Sequence, residues 1–173
     1  MCEVSVLIRP ERPEDYAAIY ALTEAAFADM EHADGDEQDV TPQLRKKAGF
    51  RPELSLVAER EGQVVGHILF TEVAIGGDAA LILGPIAVPP ELQGQGIGGA
   101  LMQKGHEAAR ELGFSACVLA GYASYYSRFG YETASEHGIT LPIDAPEECK
   151  MVKFLTEDGK RLRGLAAIPP ELI

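Results

Sequence analysis

The chain has 173 residues, 46% of them hydrophobic, and a formal net charge of −12. That length and apolar content suit one domain over residues 1–173 with a full core. The acidic balance excludes a nucleic-acid surface of clustered Lys and Arg, and the absence of an apolar run of roughly 18 residues argues against a membrane partner.

Met1-Cys2-Glu3-Val4 lacks the basic and apolar regions of a signal peptide. Cys2, Cys117 and Cys149 show no metal-ligand spacing, and an odd count suits free thiols in a reducing compartment, so a cytoplasmic location is expected. His32, His67, His106 and His137 are scattered, and no metal is expected. His67 lies in a strand and reads as structural, and Cys117 reads as a small core residue, because no histidine is identifiable that would activate the thiol.

Val4 to Ile8 alternates as a first strand. The prolines and acids of Arg9 to Asp15 suit a helix start. Tyr16, Ile19, Tyr20, Leu22, Ala26 and Phe27 then give an apolar face at helical spacing. Asp29 to Asp39 holds six acids and reads as a solvated loop; Gln38 to Ala48 reads as a weaker helix. Leu54–Arg60, Glu61-Gly62 and Gln63–Val73 form a hairpin pattern, and Gly76-Gly77-Asp78 turns into a strand over Leu81–Val88. A helix follows from Ala100 to Leu112, then a strand near Ser115–Ala120 and a short helix near Ala123–Phe129. The tail carries strands near Gly138–Leu141 and Met151–Leu155, a turn at Asp158-Gly159, and an edge strand within Leu162–Ile168.

Gln93-Gly94-Gln95-Gly96-Ile97-Gly98-Gly99 sits between the apolar strand and the helix. A glycine-rich turn opening a helix exposes unpaired N–H groups at the positive end of the helix dipole, which makes an anion site. The Gly-Lys-Ser/Thr ending of a P-loop is absent. Gly94, Gly96 and Gly99 satisfy a formal dinucleotide pattern, but five residues separate the strand from the glycines and no acidic residue ends the next strand. A nicotinamide-type cofactor is therefore disfavoured.

Gln93, Gly96 and Gly98, entered from an apolar strand and followed by an amphipathic helix, resemble the acetyl-CoA signature of the GNAT superfamily of N-acetyltransferases. Tyr125-Tyr126-Ser127-Arg128-Phe129-Gly130-Tyr131 resembles the same family's tyrosine element near the thiol end of CoA. Together with Leu83-Gly84-Pro85-Ile86-Ala87-Val88, the wording is most similar to the YhbS-like subgroup. The resemblance implies an α/β (α+β) single-domain GNAT fold: a mixed, mostly antiparallel sheet with a splayed strand pair, flanked by helices. It implies transfer of an acetyl group from acetyl-CoA to a primary amine, on a small molecule or a protein, by direct attack.

The resemblance also assigns roles. The N–H groups of Gly94, Gln95, Gly96, Ile97, Gly98 and Gly99 cradle the pyrophosphate, and Gln93 orients the turn or contacts a phosphate. Ile86, Ala87 and Val88 pair with the pantetheine through their backbone, and an N–H near Ile86 or Ala87 bonds the thioester oxygen. Gly84-Pro85 fits a disrupted strand there. Tyr126 is the general acid for the leaving thiolate, with an ordinary phenol pKa of about 10; Tyr125 reads as packing. Ser124 serves the pantetheine in place of the family's asparagine, whose position holds Leu119. Arg128 has two open readings, a contact to the CoA phosphates or a cap on the short helix. Tyr122-Ala123 departs from the subgroup's usual Asp-Pro. No base is assigned; Glu24, Asp29 and Glu72 are the acids within reach of consideration.

Three alternatives remain at this level: a non-catalytic acyl-CoA-binding module of the same fold, a transferase for a longer acyl group, and the dinucleotide protein. A homodimer through the C-terminal strands is the one protein partner expected, since a bare edge strand tends to pair.

Overall fold

The computed structural model describes residues 5–28, 30 and 35–173. Cys2, Asp29 and His32 lie outside them. The strands are β1 (Leu7–Pro10), β2 (Phe50–Arg60), β3 (Gln63–Ile75), β4 (Asp78–Ala87), β5 (Ala116–Ala120), β6 (Glu132–Thr133), β7 (Ile139–Thr140), β8 (Lys150–Phe154) and β9 (Gly164–Leu165). The helices are α1 (Tyr16–Phe27), α2 (Glu37–Leu44), α3 (Ile97–Glu111) and α4 (Ala123–Tyr126). A mixed, mostly antiparallel sheet in the order β1-β2-β3-β4-β5-β8-β6 is flanked by helices, as expected, and β7 and β9 form a separate two-stranded sheet. The chain groups into two compact units, residues 1–70 with 85–105, and residues 71–84 with 106–173.

In the first unit, β1 begins at Leu7, leaving Ser5 and Val6 out of the predicted strand, whose first residue Val4 lies outside the described residues; it pairs antiparallel with β2 from Leu7↔Glu59 to Pro10↔Leu56. Strand β2 starts at Phe50, four residues earlier than the apolar pattern predicts. Pro52 is tolerated inside it because β1 pairs only with Leu56 to Glu59, leaving that stretch outside the β1 ladder. Glu61 and Gly62 both take positive φ, 52° and 78°, the geometry of a two-residue hairpin turn that matches strand twist.

Helix α1 buries Ile19, Leu22, Thr23 and Ala26, spaced at three and four residues. Tyr16 and Tyr20, predicted on that apolar face, are each 40% exposed instead. Their polar ends decide this: the Tyr20 hydroxyl donates to Asp39 at 3.0 Å, and the Arg45 guanidinium lies over the Tyr16 ring at 3.7 Å. Leu22 and Ala26 pack with Ala87 at the end of β4. Helix α2 stops at Leu44, four residues short of the predicted end, where Leu44 becomes fully buried.

A glycine in β3 sets the start of α3. A methyl group at Gly66 would stand 3.0 Å from Ile97 Cγ2 and 3.0 Å from Leu101 Cδ1, so only glycine lets the helix approach this closely. Ile97 and Leu101 are buried in return.

In the second unit, β5 pairs with β4 in parallel through only Leu81↔Cys117 and Ile82↔Val118, and the ladder ends before Gly84-Pro85. On its other side β5 pairs antiparallel with β8 over its whole length, Ala116↔Phe154 to Ala120↔Lys150. The core here joins Ile82, Val118 and Val152 to Ile139, Leu162 and Ile168. The predicted edge strand within Leu162–Ile168 is only β9, which pairs in parallel with β7, while β6, which the sequence pattern does not show, lies along β8.

Candidate active site

The glycine turn belongs to the first unit. After β4, Pro90–Leu92 makes a single 3-10 turn, and Gln93 is extended. Its Nε2 donates to the carbonyl of Val88 at 2.9 Å, which closes the base of the turn. Gly94 and Gly96 follow with φ of 81° and 88°. At Gly94 the surrounding space is open, so backbone conformation alone selects glycine there. The first rung of α3 is Ala100 N–H to the Gly96 carbonyl at 3.0 Å. The N–H groups of Ile97, Gly98 and Gly99 therefore precede the ladder, at the positive end of a 15-residue helix. This arrangement fits an anionic diphosphate: residues 94 to 96 are exposed, Gly98 and Gly99 are half-buried, and the four glycines bring no side chains of their own to the turn.

Arg60, at the end of β2, donates from Nη1 to Gln95 Oε1 at 3.2 Å. The sequence gives no hint of this contact, which depends on the β2–β3 hairpin bringing residue 60 beside residue 95. Ile86 and Val88 are half-buried and Ala87 is buried; Val88 falls just beyond β4, and its carbonyl is the one that Gln93 holds.

Tyr126 belongs to the second unit, at the end of α4. Its ring meets Tyr125 edge-on, with centroids 4.9 Å apart, and Tyr131 at 6.0 Å and 72°. Burial pushes its phenol above the ordinary value, with Tyr125 and Cys117 adding to the shift. Among the described residues its hydroxyl makes no hydrogen bond within the chain and is not a buried orphan. Tyr125 packs against Phe129 at 5.3 Å and under the Arg128 guanidinium at 4.7 Å. Arg128 Nε donates to the Tyr125 carbonyl at 3.3 Å, the geometry of a helix-end cap. Ser124 is exposed on the same short helix.

Behind Tyr126 lies a buried polar pair. His106 Nε2 is 2.9 Å from the Tyr131 hydroxyl. Burial pushes the His106 pKa down to about 3, and the charges of Lys153 and Arg110 push the same way, so the ring is neutral. Cys117 is fully buried, and desolvation raises its thiol to about 12 against a smaller opposing effect of Tyr131. A thiol so held is a core group and not a nucleophile. The sequence carried the signal for Tyr131 in its motif but none for His106, which only the packing of α3 identifies.

His67 is also a core residue. Its Nε2 is 2.9 Å from Ser55 Oγ and 3.5 Å from Glu11 Oε1, and Arg45 grips Glu11 with two hydrogen bonds of 2.8 and 3.0 Å. Of the acids considered as bases, Glu24 is exposed on α1 and Glu72 is half-buried on β3. Among the described residues no three His, Cys, Asp or Glu side chains gather into a metal-holding group, and no helix is long and apolar enough to cross a membrane.

Residues 7–134 match the family model described as Acetyltransferase (GNAT) domain. The chain is 42% identical over 136 residues to YjhQ of Escherichia coli K12, named an uncharacterized N-acetyltransferase, covering 74% of this chain and 75% of that protein. It is 33% identical over 160 residues to YhbS of the same organism, named likewise, covering 89% and 90%. The crystal structure of E. coli YhbS in complex with CoA superposes with a TM-score of 0.86 at 30% identity, over 99% of this chain and 93% of that one. A GNAT family acetyltransferase from Brucella melitensis in complex with acetyl-CoA gives 0.81 at 35% identity, over 99% and 100%. The motifs, the sheet order and these relatives agree, and the chain belongs to the GNAT acetyltransferase family.

Proposed function

We propose that this protein is an acetyl-CoA-dependent N-acetyltransferase that moves an acetyl group to a primary amine by direct attack. The observation that carries the reading is Tyr126: a packed ring whose hydroxyl has no hydrogen-bond partner within the chain among the described residues. That hydroxyl is open to solvent rather than buried, so an incoming thioester can meet it.

In this reading the turn from Gly94 to Gly99 binds the diphosphate of acetyl-CoA, with Gln93 holding the turn and Arg60 alongside Gln95. The backbone of Ile86 to Val88 pairs with the pantetheine arm, and a strand N–H near Ile86 or Ala87 polarises the thioester carbonyl. Gly84 and Pro85, where the β4–β5 ladder has already ended, support that role. The neutral amine attacks the thioester carbon, the C–S bond breaks, and the departing thiolate takes the Tyr126 proton; the proton that the amine loses passes to water, from which the phenolate recovers its own. Burial keeps that phenol protonated between turnovers. The inert Cys117 thiol supports direct attack over an acyl-cysteine route. Arg128 caps α4, and in this reading Ser124 serves the pantetheine.

The test is thiol release from acetyl-CoA over a panel of small amines and peptide amines, for wild type and Tyr126→Phe. Turnover in wild type, lowered about 10²-fold in Tyr126→Phe with CoA binding retained, is the expected result. CoA binding without thiol release on any amine would instead make the protein a binding module, and unchanged turnover would remove Tyr126 from the mechanism.

A further inference from the structure

The residue that places Tyr126 is not in either family motif. Gly121 follows β5 and donates its N–H to the Cys149 carbonyl at 2.9 Å. A methyl group built on Gly121 would run into Cε2 of Tyr126, and would stand 3.0 Å from Cδ2 and 3.4 Å from Cζ. The Cε2 edge of the Tyr126 ring thus lies close against the Gly121 backbone. Gly121 does not adopt a positive φ, unlike Gly130 and Gly138 nearby. Its conformation is open to any residue, so the aromatic ring is the obstacle to a side chain there, and not backbone strain.

A second neighbour of the ring is fixed as well. Tyr131 meets Tyr126 edge-on and is itself held by His106 at 2.9 Å, with Tyr131 only 2% exposed. The ring therefore meets both a bare backbone and a buried, hydrogen-bonded tyrosine. A side chain at 121 displaces the ring, because its first carbon would overlap the ring edge.

We propose that Gly121 is a positioning residue for the acyl-transfer step: its missing side chain is the seat that sets where the Tyr126 hydroxyl meets the leaving sulfur. The inference rests on Tyr126 acting as the acid. Displacing a reacting group by on the order of 1 Å costs about 10²-fold in rate, and the contact must open by a comparable amount to admit a methyl group.

The experiment is a double-mutant cycle on purified protein. Gly121→Ala alone lowers kcat about 10²-fold while the KM for acetyl-CoA and the Kd for CoA stay at wild-type values. In the Tyr126→Phe background Gly121→Ala produces no further loss, because the group it misplaces is already absent. Wild-type turnover in Gly121→Ala, or an equal fractional loss in both backgrounds, would overturn the proposal. A merely structural glycine would lower both backgrounds alike. A second cycle reads melting temperature with Tyr126→Ala: Gly121→Ala lowers Tm with the ring present and leaves it unchanged with the ring removed, and equal losses would overturn the seat. Full turnover in Tyr126→Phe by itself would sink the acid assignment, and the melting cycle then still decides the contact.

Discussion

Gln93 donates from Nε2 to the carbonyl of Val88 at 2.9 Å, so the side chain that opens the glycine turn is tied to the residue that follows β4. This bond links the diphosphate cradle to the backbone proposed to carry the pantetheine. Gln93→Leu keeps the bulk and removes the donor. One neutral hydrogen bond is worth about 1 kcal/mol, or about fivefold in affinity. Isothermal titration should show CoA affinity reduced about that much, with the melting temperature of the unliganded protein little changed because Gln93 is exposed.

Gly105 in α3 faces the fully buried ring of Phe70. A methyl group there would collide with Cε1 and stand 2.6 Å from Cζ. Gly105→Ala therefore overpacks the core despite alanine's better helix propensity. Loss of about 1–3 kcal/mol of stability is expected from denaturant unfolding; a gain of the size that propensity alone predicts would show the ring free to move.

Glu11 gives the fold an acid limit. Burial alone would raise its carboxyl, but the hydrogen bonds from His67, Arg45 and Ser55, with the charge of Arg45, outweigh it and hold the pKa at about 2. The folded value lies below the ordinary 4.5, so the stabilisation is complete above that ordinary value and is lost as pH falls from there through about 2. Glu11→Gln should cost about 3 kcal/mol near neutrality, as expected for breaking a buried pair with Arg45. It should also remove this part of the acid slope from the melting curve series.

His106 acts in the next window up. Its folded pKa of about 3 is below the ordinary 6.5, so between those values the unfolded chain binds a proton that the folded chain does not. Stability therefore falls as pH drops below about 6.5 and levels off near 3. His106→Gln, which retains a partner for the Tyr131 hydroxyl, should flatten melting temperature against pH across that range. A slope of the same sign remains, because buried His67 is also held neutral.

Much of this site is local in sequence. The run from Gln93 to Gly99 announces an anion-binding helix start through glycine content and position alone, and φ values of 81° and 88° at Gly94 and Gly96 are the physical reason those residues are needed. The spacing of Tyr126 and Tyr131 is likewise local. What the sequence hides is long-range. Strand β6 is two residues long and exists only because β8 offers it an edge. Tyr16 and Tyr20 look apolar by period, yet Arg45 and Asp39 draw them outward. Arg60 and Gln95 are 35 residues apart and meet through a hairpin. Nothing in the sequence singles out Gly121; the Tyr126 ring edge close against it does.

The most direct test of the account is a thermal-denaturation titration with acetyl-CoA, CoA and NAD in parallel, since a ligand that binds only the folded state raises its stability with occupancy. The account predicts a concentration-dependent rise in Tm with acetyl-CoA and with CoA, and none with NAD. No shift with CoA at millimolar concentration, or a shift with NAD alone, would contradict it.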